Sequence, residues 1–157
     1  MPTWQPDLAP LVGRIPRIFH LLKAVGDALN ADLGVSTSMR GVMASLADGG
    51  PRTVPDLARE RTVSRQHTQT VVSDLLAAGL VEALPNPSHR RSPLIGLTDD
   101  GRKHLRLIRE REAELLARTA PAVSQADLAA AMRLLDLIER DLALRVLAIG
   151  RPDYADA

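Results

Sequence analysis

The chain has 157 residues, the length of one domain and enough for a real hydrophobic core, with 45% hydrophobic and 25% charged residues and a net charge of only +1. With no cysteine, it has no disulfide, thiolate catalyst, thiol redox switch or Cys-based zinc site. Aromatic residues are limited to Trp4, Phe19 and Tyr154, so the core must be aliphatic, which suits packing of helix on helix.

The N-terminal segment MPTWQPDLAP lacks a charged-then-apolar leader pattern. No apolar run in the chain reaches the roughly 18 residues of a membrane span, and a cytoplasmic location is expected. From Leu11 to Leu33, Leu11, Ile15, Ile18, Leu22, Val25 and Leu29 recur at helical spacing. Pro16 should interrupt or kink the first turns, and Gly34 should stop this first helix. A second helix follows over about 38–47, with Ser36, Thr37 or Ser38 as its cap, and ends at Asp48-Gly49-Gly50-Pro51. Thr53 caps a short third helix with Pro55 in its first turn and Asp56 three residues after the cap.

Ser64 caps a fourth helix that runs to Ala78 and stops at Gly79, with Thr68, Val71, Val72 and Leu75 facing inward. Leu80 to Leu84 and Leu94 to Leu97 are short β-prone runs around a polar, Pro-rich tip, which reads as a hairpin. Thr98 caps a fifth helix with Leu105, Ile108, Leu115 and Leu116 on its apolar side, ending before Pro121. Ser124 and Asp127 open a sixth that extends to Gly150 through Leu128, Met132, Leu135, Ile138, Leu142 and Val146. The tail from Arg151 is expected to fray. The first, fifth and sixth helices carry more apolar surface than a small winged module covers. A two-fold dimer interface accounts for the excess, and a helical cap folded back within the monomer is the alternative.

Helix, turn, helix and an arginine-tipped hairpin in this order have the parts needed to read a major groove with a flanking contact. Ser64, Arg65, Gln66, Gln69, Thr70 and Ser73 lie on the outward face of the fourth helix. Gln pairs with adenine N6/N7 and Arg with guanine O6/N7, while Ser and Thr serve bases or phosphates. His67 lies beside that set, where it either contacts DNA or covers the flank of the third helix; the flank is our reading. Arg90 and Arg91 sit at the hairpin tip, placed for a narrow groove with concentrated negative potential.

The segments MRGVMASLADGGPRTVPDLARE, SRQHTQTVVSDLLAAGLVE and RRSPLIGLTDDG resemble the winged helix-turn-helix of the MarR family (multiple antibiotic resistance regulators). The resemblance covers nearly the whole chain. It implies a mainly α fold with a small β-hairpin wing, ordered helix, helix, strand, helix, helix, strand, strand, helix, helix. The DNA-binding part would occupy 36–100, with dimerisation helices at 10–34 and 101–150 of one domain spanning 1–157. It further implies a homodimer on a pseudo-palindromic double-stranded operator, with Thr37 and Ser38 joining the DNA-binding set. Many members release DNA when a small aromatic or phenolic effector binds. That region would lie near Arg17, Phe19, His20, Met39, Arg40 and Met43, where Arg17 or Arg40 would hold a carboxylate and Phe19 would stack on a ring. Ordinary packing of these residues is the other reading.

Three positions depart from the family pattern. His89 stands where an acid commonly precedes the paired arginines, Thr70 where the recognition helix often has arginine, and Thr68 where a core aliphatic is usual, so that its hydroxyl needs a backbone acceptor. His20, His67, His89 and His104 have no metal-binding spacing, and neither a phosphate loop nor a nucleophile elbow is present. No cofactor and no enzymatic activity are expected. The expected function is a sequence-specific transcriptional regulator, a homodimeric repressor relieved by a small effector. The alternative is a winged-helix dimer that serves as a protein-interaction module without DNA binding.

Overall fold

Pro16 decides how the chain begins. A prolyl nitrogen has no hydrogen to donate, and its ring collides with the carbonyl four residues back, here that of Val12. In the computed structural model, which describes residues 7–89, 91–119 and 122–149, the expected first helix is therefore split. A single turn, α1 (Ala9–Val12), is followed at Gly13 and Arg14 by a fresh start, α2 (Ile15–Leu29), with Pro16 in its first turn. Asn30 ends α2 by donating Nδ2 to the Gly26 carbonyl at 3.0 Å. A 3-10 turn (Ala31–Leu33) then closes on Gly34, whose φ of 63° is left-handed as the stop required.

The chain divides into two units, residues 1–37 and 38–157. In the first, Leu11, Ile15, Ile18, Phe19, Leu22 and Val25 are all exposed, an apolar row open along α1 and α2. The unit ends in a polar clasp. Asp27 accepts from the Thr37 amide at 2.7 Å and its hydroxyl at 2.8 Å, and pairs with Lys23 at 2.5 Å. Those hydrogen bonds, Lys23's foremost, lower the Asp27 carboxyl from 3.8 to about 2. The second expected helix, observed as α3 (Thr37–Gly49), thus receives its first amide's partner from a side chain ten residues upstream. Because the folded carboxyl is the stronger acid, this stabilisation is complete above pH 3.8 and is lost as the pH falls towards 2.

The second unit builds one aliphatic core. Met39, Val42, Met43 and Leu46 of α3 join Leu57 and Ala58 of α4 (Val54–Glu60) and Val71, Val72 and Leu75 of α5 (Arg65–Ala77). Ile95 and Leu97 of the hairpin add to it, as do Leu105 and Ile108 of α6 (Asp99–Thr119). The hairpin strands β1 (Val81–Leu84) and β2 (Leu94–Leu97) are antiparallel, with Val81 opposite Leu97 and Leu84 opposite Leu94. The strand expected before the third helix is reduced to one residue. Arg52 exchanges both backbone hydrogen bonds with Ile95, at 3.1 and 2.8 Å, and Thr53 already caps the next helix.

Beyond Ile108 the helices leave this core: Leu116 is exposed, although the sequence placed it on the apolar side. The last helix, α7 (Gln125–Ile149), opens with the expected reciprocal cap, in which Asp127 N–H donates to Ser124 Oγ at 3.1 Å and Ser124 N–H to Asp127 at 3.3 Å. Leu128, Met132, Leu135 and Leu142 are exposed along it, and Ile138 and Val146 are half-buried. Gly150 and the tail from Arg151 lie outside the described residues, as does Pro121.

Candidate nucleic-acid interface

Two caps set the angle of the helix-turn-helix. Thr53 Oγ1 accepts from the Asp56 amide at 3.3 Å and donates to its carboxylate at 2.6 Å. The Thr53 hydroxyl and then Arg59 hold the Asp56 carboxyl below its ordinary range. After a turn in which Thr62 takes a left-handed φ of 53°, Ser64 Oγ accepts from the His67 amide at 3.2 Å and starts α5. Gly79 ends that helix with φ 70°, and the Leu80 amide reaches back to the Leu75 carbonyl at 3.0 Å.

The inward face of α5 is as the sequence indicated: Thr68, Val71, Val72 and Leu75 are all buried. Thr68 satisfies its hydroxyl on the Ser64 carbonyl at 3.2 Å, the backbone acceptor its buried place demands. On the other side Ser64, Arg65, Gln66, Gln69, Thr70 and Ser73 are exposed together. Thr70 spends its hydroxyl proton on the Gln66 carbonyl at 3.1 Å, so what it offers outward is an acceptor. His67 is exposed as well.

At the wing tip, Arg91 is exposed, and Arg90 lies outside the described residues. No carboxylate pairs with Arg91 among the described residues. The loop is organised by Asn86. Its Nδ2 donates to the Ser92 carbonyl at 2.8 Å, and its Oδ1 accepts from the Ser88 amide at 3.1 Å. Ser92 N–H closes a turn on the His89 carbonyl at 3.0 Å. The available signal was an Asn between Pro85 and Pro87, a residue type suited to bonding nearby backbone in turns.

Relatives of the chain share its sequence and its fold. A model of the MarR family matches residues 33–92, from the 3-10 turn to the wing. The uncharacterized protein Rv2011c of Mycobacterium tuberculosis is 39% identical over 124 residues, 79% of this chain and 86% of its own length. The chain belongs to the MarR family. Among solved structures, the MarR family transcription regulator SP03579 superposes with a TM-score of 0.78 at 25% identity, covering 92% of this chain and 94% of its own. BpsR of Bordetella bronchiseptica has the same fold, with a TM-score of 0.71 at 20% identity over 87% of this chain and 98% of its own.

MarR proteins are transcriptional regulators rather than enzymes, and membership implies operator DNA and a second copy of the chain as partners. Among the described residues no helix is long and apolar enough to cross a membrane, and no three His, Asp or Glu side chains gather as metal ligands would.

The remaining candidate residues are differently placed. Thr37 and Ser38 open α3 half-buried, and the Thr37 hydroxyl is already engaged by Asp27. On α2, Arg17, Phe19 and His20 are exposed, with the rings of Phe19 and His20 edge to face at 5.5 Å. Met39 and Met43 are packed into the second unit's core. Arg40 is held from α6 by Glu112 in a two-pronged ion pair, Nε at 3.0 Å and Nη2 at 2.6 Å. Seventy-two residues separate that pair, a distance at which no local pattern announces a partner.

Proposed function

We propose that this MarR protein is a homodimeric repressor that occludes a pseudo-palindromic operator and releases it on binding a small aromatic acid or phenol. The observation that carries the DNA reading is the division of α5 and its cap into a buried face of Thr68, Val71, Val72 and Leu75 and an exposed polar face that includes Ser64, Arg65, Gln66, Gln69, Thr70 and Ser73. A helix fixed on one face presents Gln66, Gln69 and Arg65 to base edges in a set register, while Ser64, Thr70 and Ser73 serve edges or phosphates. Thr37 and Ser38 contribute a backbone contact, and Arg90 and Arg91 enter the adjacent minor groove. The DNA-binding part spans 36–100. The apolar rows of 10–34 and 101–150 are covered by the second copy, which gives the two-fold symmetry that paired half-sites need. The protein works in the cytoplasm, where its operator is.

Release by an effector is supported by the similarity to BpsR, whose DNA binding is regulated by 6-hydroxynicotinic acid. In this chain Phe19 offers an exposed ring and Arg17 an exposed cation for such a ligand, with His20 against Phe19. Of the other candidates, Met39 and Met43 are buried in their own unit's core, and Arg40 would have to give up Glu112 to take a carboxylate.

Selection of bound duplexes from a random DNA pool tests the reading. Enrichment of an inverted repeat, weakened by aromatic acids or phenols, is the expected result. A pool without enrichment would overturn it in favour of a protein-interaction module. Enrichment unaffected by any such compound would remove the effector alone.

A further inference from the structure

Two ion pairs join α3 to α6, and their polarities are opposed. Arg40 on α3 grips Glu112 on α6 with Nε at 3.0 Å and Nη2 at 2.6 Å, and Asp48 on α3 accepts from Arg109 Nη2 on α6 at 3.0 Å. A guanidinium forked onto a carboxylate holds one geometry, because both groups are planar and both bonds must be met together. Both partners of that fork are half-buried, whereas the Asp48 pair is exposed and adds little energy of its own. What the second pair adds is register. Sliding α6 by three residues in one direction sets Arg109 before Arg40, and in the other sets Glu112 before Asp48. Either slip brings like charges together.

Leu105 and Ile108 bury α6 in the core that α3 lines with Met39, Val42, Met43 and Leu46. Such burial is non-directional, and methionine side chains adapt to small shifts, so the apolar contacts alone tolerate a change of angle. Glu112 lies one turn beyond Ile108, on the stretch of α6 that leaves the core towards the exposed Leu116. A tie at that point acts on the projecting part of the helix. On its other side α3 carries the helix-turn-helix. Arg61, at the end of α4, lies over Gly41, the residue after Arg40, where a Cβ would collide with it.

We infer that Arg40 and Glu112 are positioning residues: their ion pair, with Asp48–Arg109 beside it, sets how far apart the two recognition helices stand in the dimer, and so which half-site spacing the protein accepts. All four residues lie in the second unit. The inference rests on the dimer and operator readings above, in which α6 belongs to the part covered by the second copy, and adds to them the residues that fix the spacing. A two-fold axis doubles any error, since a tilt of α6 against α3 in one copy is repeated in the other. Duplex DNA registers such an error sharply: one inserted base pair moves a half-site by about 3.4 Å and turns it by about 35°.

The test uses the full chain and a pool of random-sequence duplexes, from which each protein selects its own inverted repeats. Wild type should enrich a single spacing. It should bind that duplex roughly tenfold more tightly than the same half-sites with one base pair inserted, the scale of a charge-assisted hydrogen bond. Arg40→Met and Glu112→Gln should keep the half-site sequence, spread over neighbouring spacings and lower that preference to about threefold or less. The exchanged pair, Arg40→Glu with Glu112→Arg, should restore the narrow distribution. Thermal melting is followed alongside. If Arg40→Met does not fold, Glu112→Gln, which keeps the shape of the side chain, and the exchanged pair decide. Unchanged spacing in every folded variant overturns the inference, whatever the loss of stability or affinity, and leaves the pair a structural contact. An exchanged pair as broad in its spacing as the single variants overturns it too. If wild type itself enriches no inverted repeat, the operator reading falls and takes this one with it.

Discussion

The recognition helix and the wing both present polar groups to solvent, but they are held in different ways. Four buried side chains fix α5, and its cap and its left-handed stop are both satisfied locally. Among the described residues, the wing tip is held by Asn86 and one backbone turn, and no carboxylate braces Arg91. Discrimination between bases needs hydrogen-bond geometry good to a fraction of an ångström, whereas attraction to phosphates tolerates movement because it falls off only over a Debye length of about 8 Å at physiological salt. The rigid element is thus suited to specificity and the loosely held one to affinity.

The largest effect should come from loosening the helix itself. Leu75→Ala removes a fully buried side chain under α5 and should cost about 2–5 kcal/mol of folding stability, a large part of the roughly 5–15 kcal/mol of a typical domain. Chemical denaturation measures it. A loss under about 1 kcal/mol would mean that α5 is not anchored as described. Gln69→Ala, on the exposed face, should leave stability intact and remove about 1–3 kcal/mol of discrimination between the selected operator and a mismatched one. If both duplexes weaken equally, Gln69 touches backbone rather than a base. Arg91→Ala should act in the opposite manner, weakening all duplexes alike by about 1 kcal/mol or less at 0.15 M salt and lowering the salt slope by about 0.9. An unchanged slope would take the wing off the DNA.

What the sequence disclosed in advance follows the same division between local and distant causes. The caps at Thr53, Ser64 and Ser124 involve residues three apart, and Thr98 likewise accepts from the Gly101 amide at 3.0 Å to start α6. The buried set of α5 repeats at helical spacing, so it too was legible. Pro16 announced a break by its chemistry, although not that the helix would restart at Ile15. The Asp27 clasp on Thr37, the Glu112 grip on Arg40 and the fold of Arg61 over Gly41 join residues from 10 to 72 positions apart. No periodicity encodes such meetings, and those of Arg40 and Arg61 arise only when the core of the second unit sets its helices side by side. The candidate site divides the same way. The exposed row of α5 was readable, but the occupation of Arg40 by Glu112 was not.

The smallest effect, and the sharpest on the comparison, belongs to Asn86. Asn86→Ala forfeits two hydrogen bonds of a half-buried side chain, each worth about 0.5–1.5 kcal/mol net, but most of that loss falls on a loop that barely contributes to the core. Global stability should therefore change little. DNA affinity should fall by less than in Arg91→Ala, because a disordered tip still carries its charge and loses only the entropy of being held in place. The double variant then decides what Asn86 does. If it acts by presenting the wing arginines, its effect should nearly vanish in the Arg91→Ala background, a coupling that a double-mutant cycle reads directly. Additive losses would instead make Asn86 an independent DNA contact, and the wing would carry two separate footholds rather than one charge on a light brace.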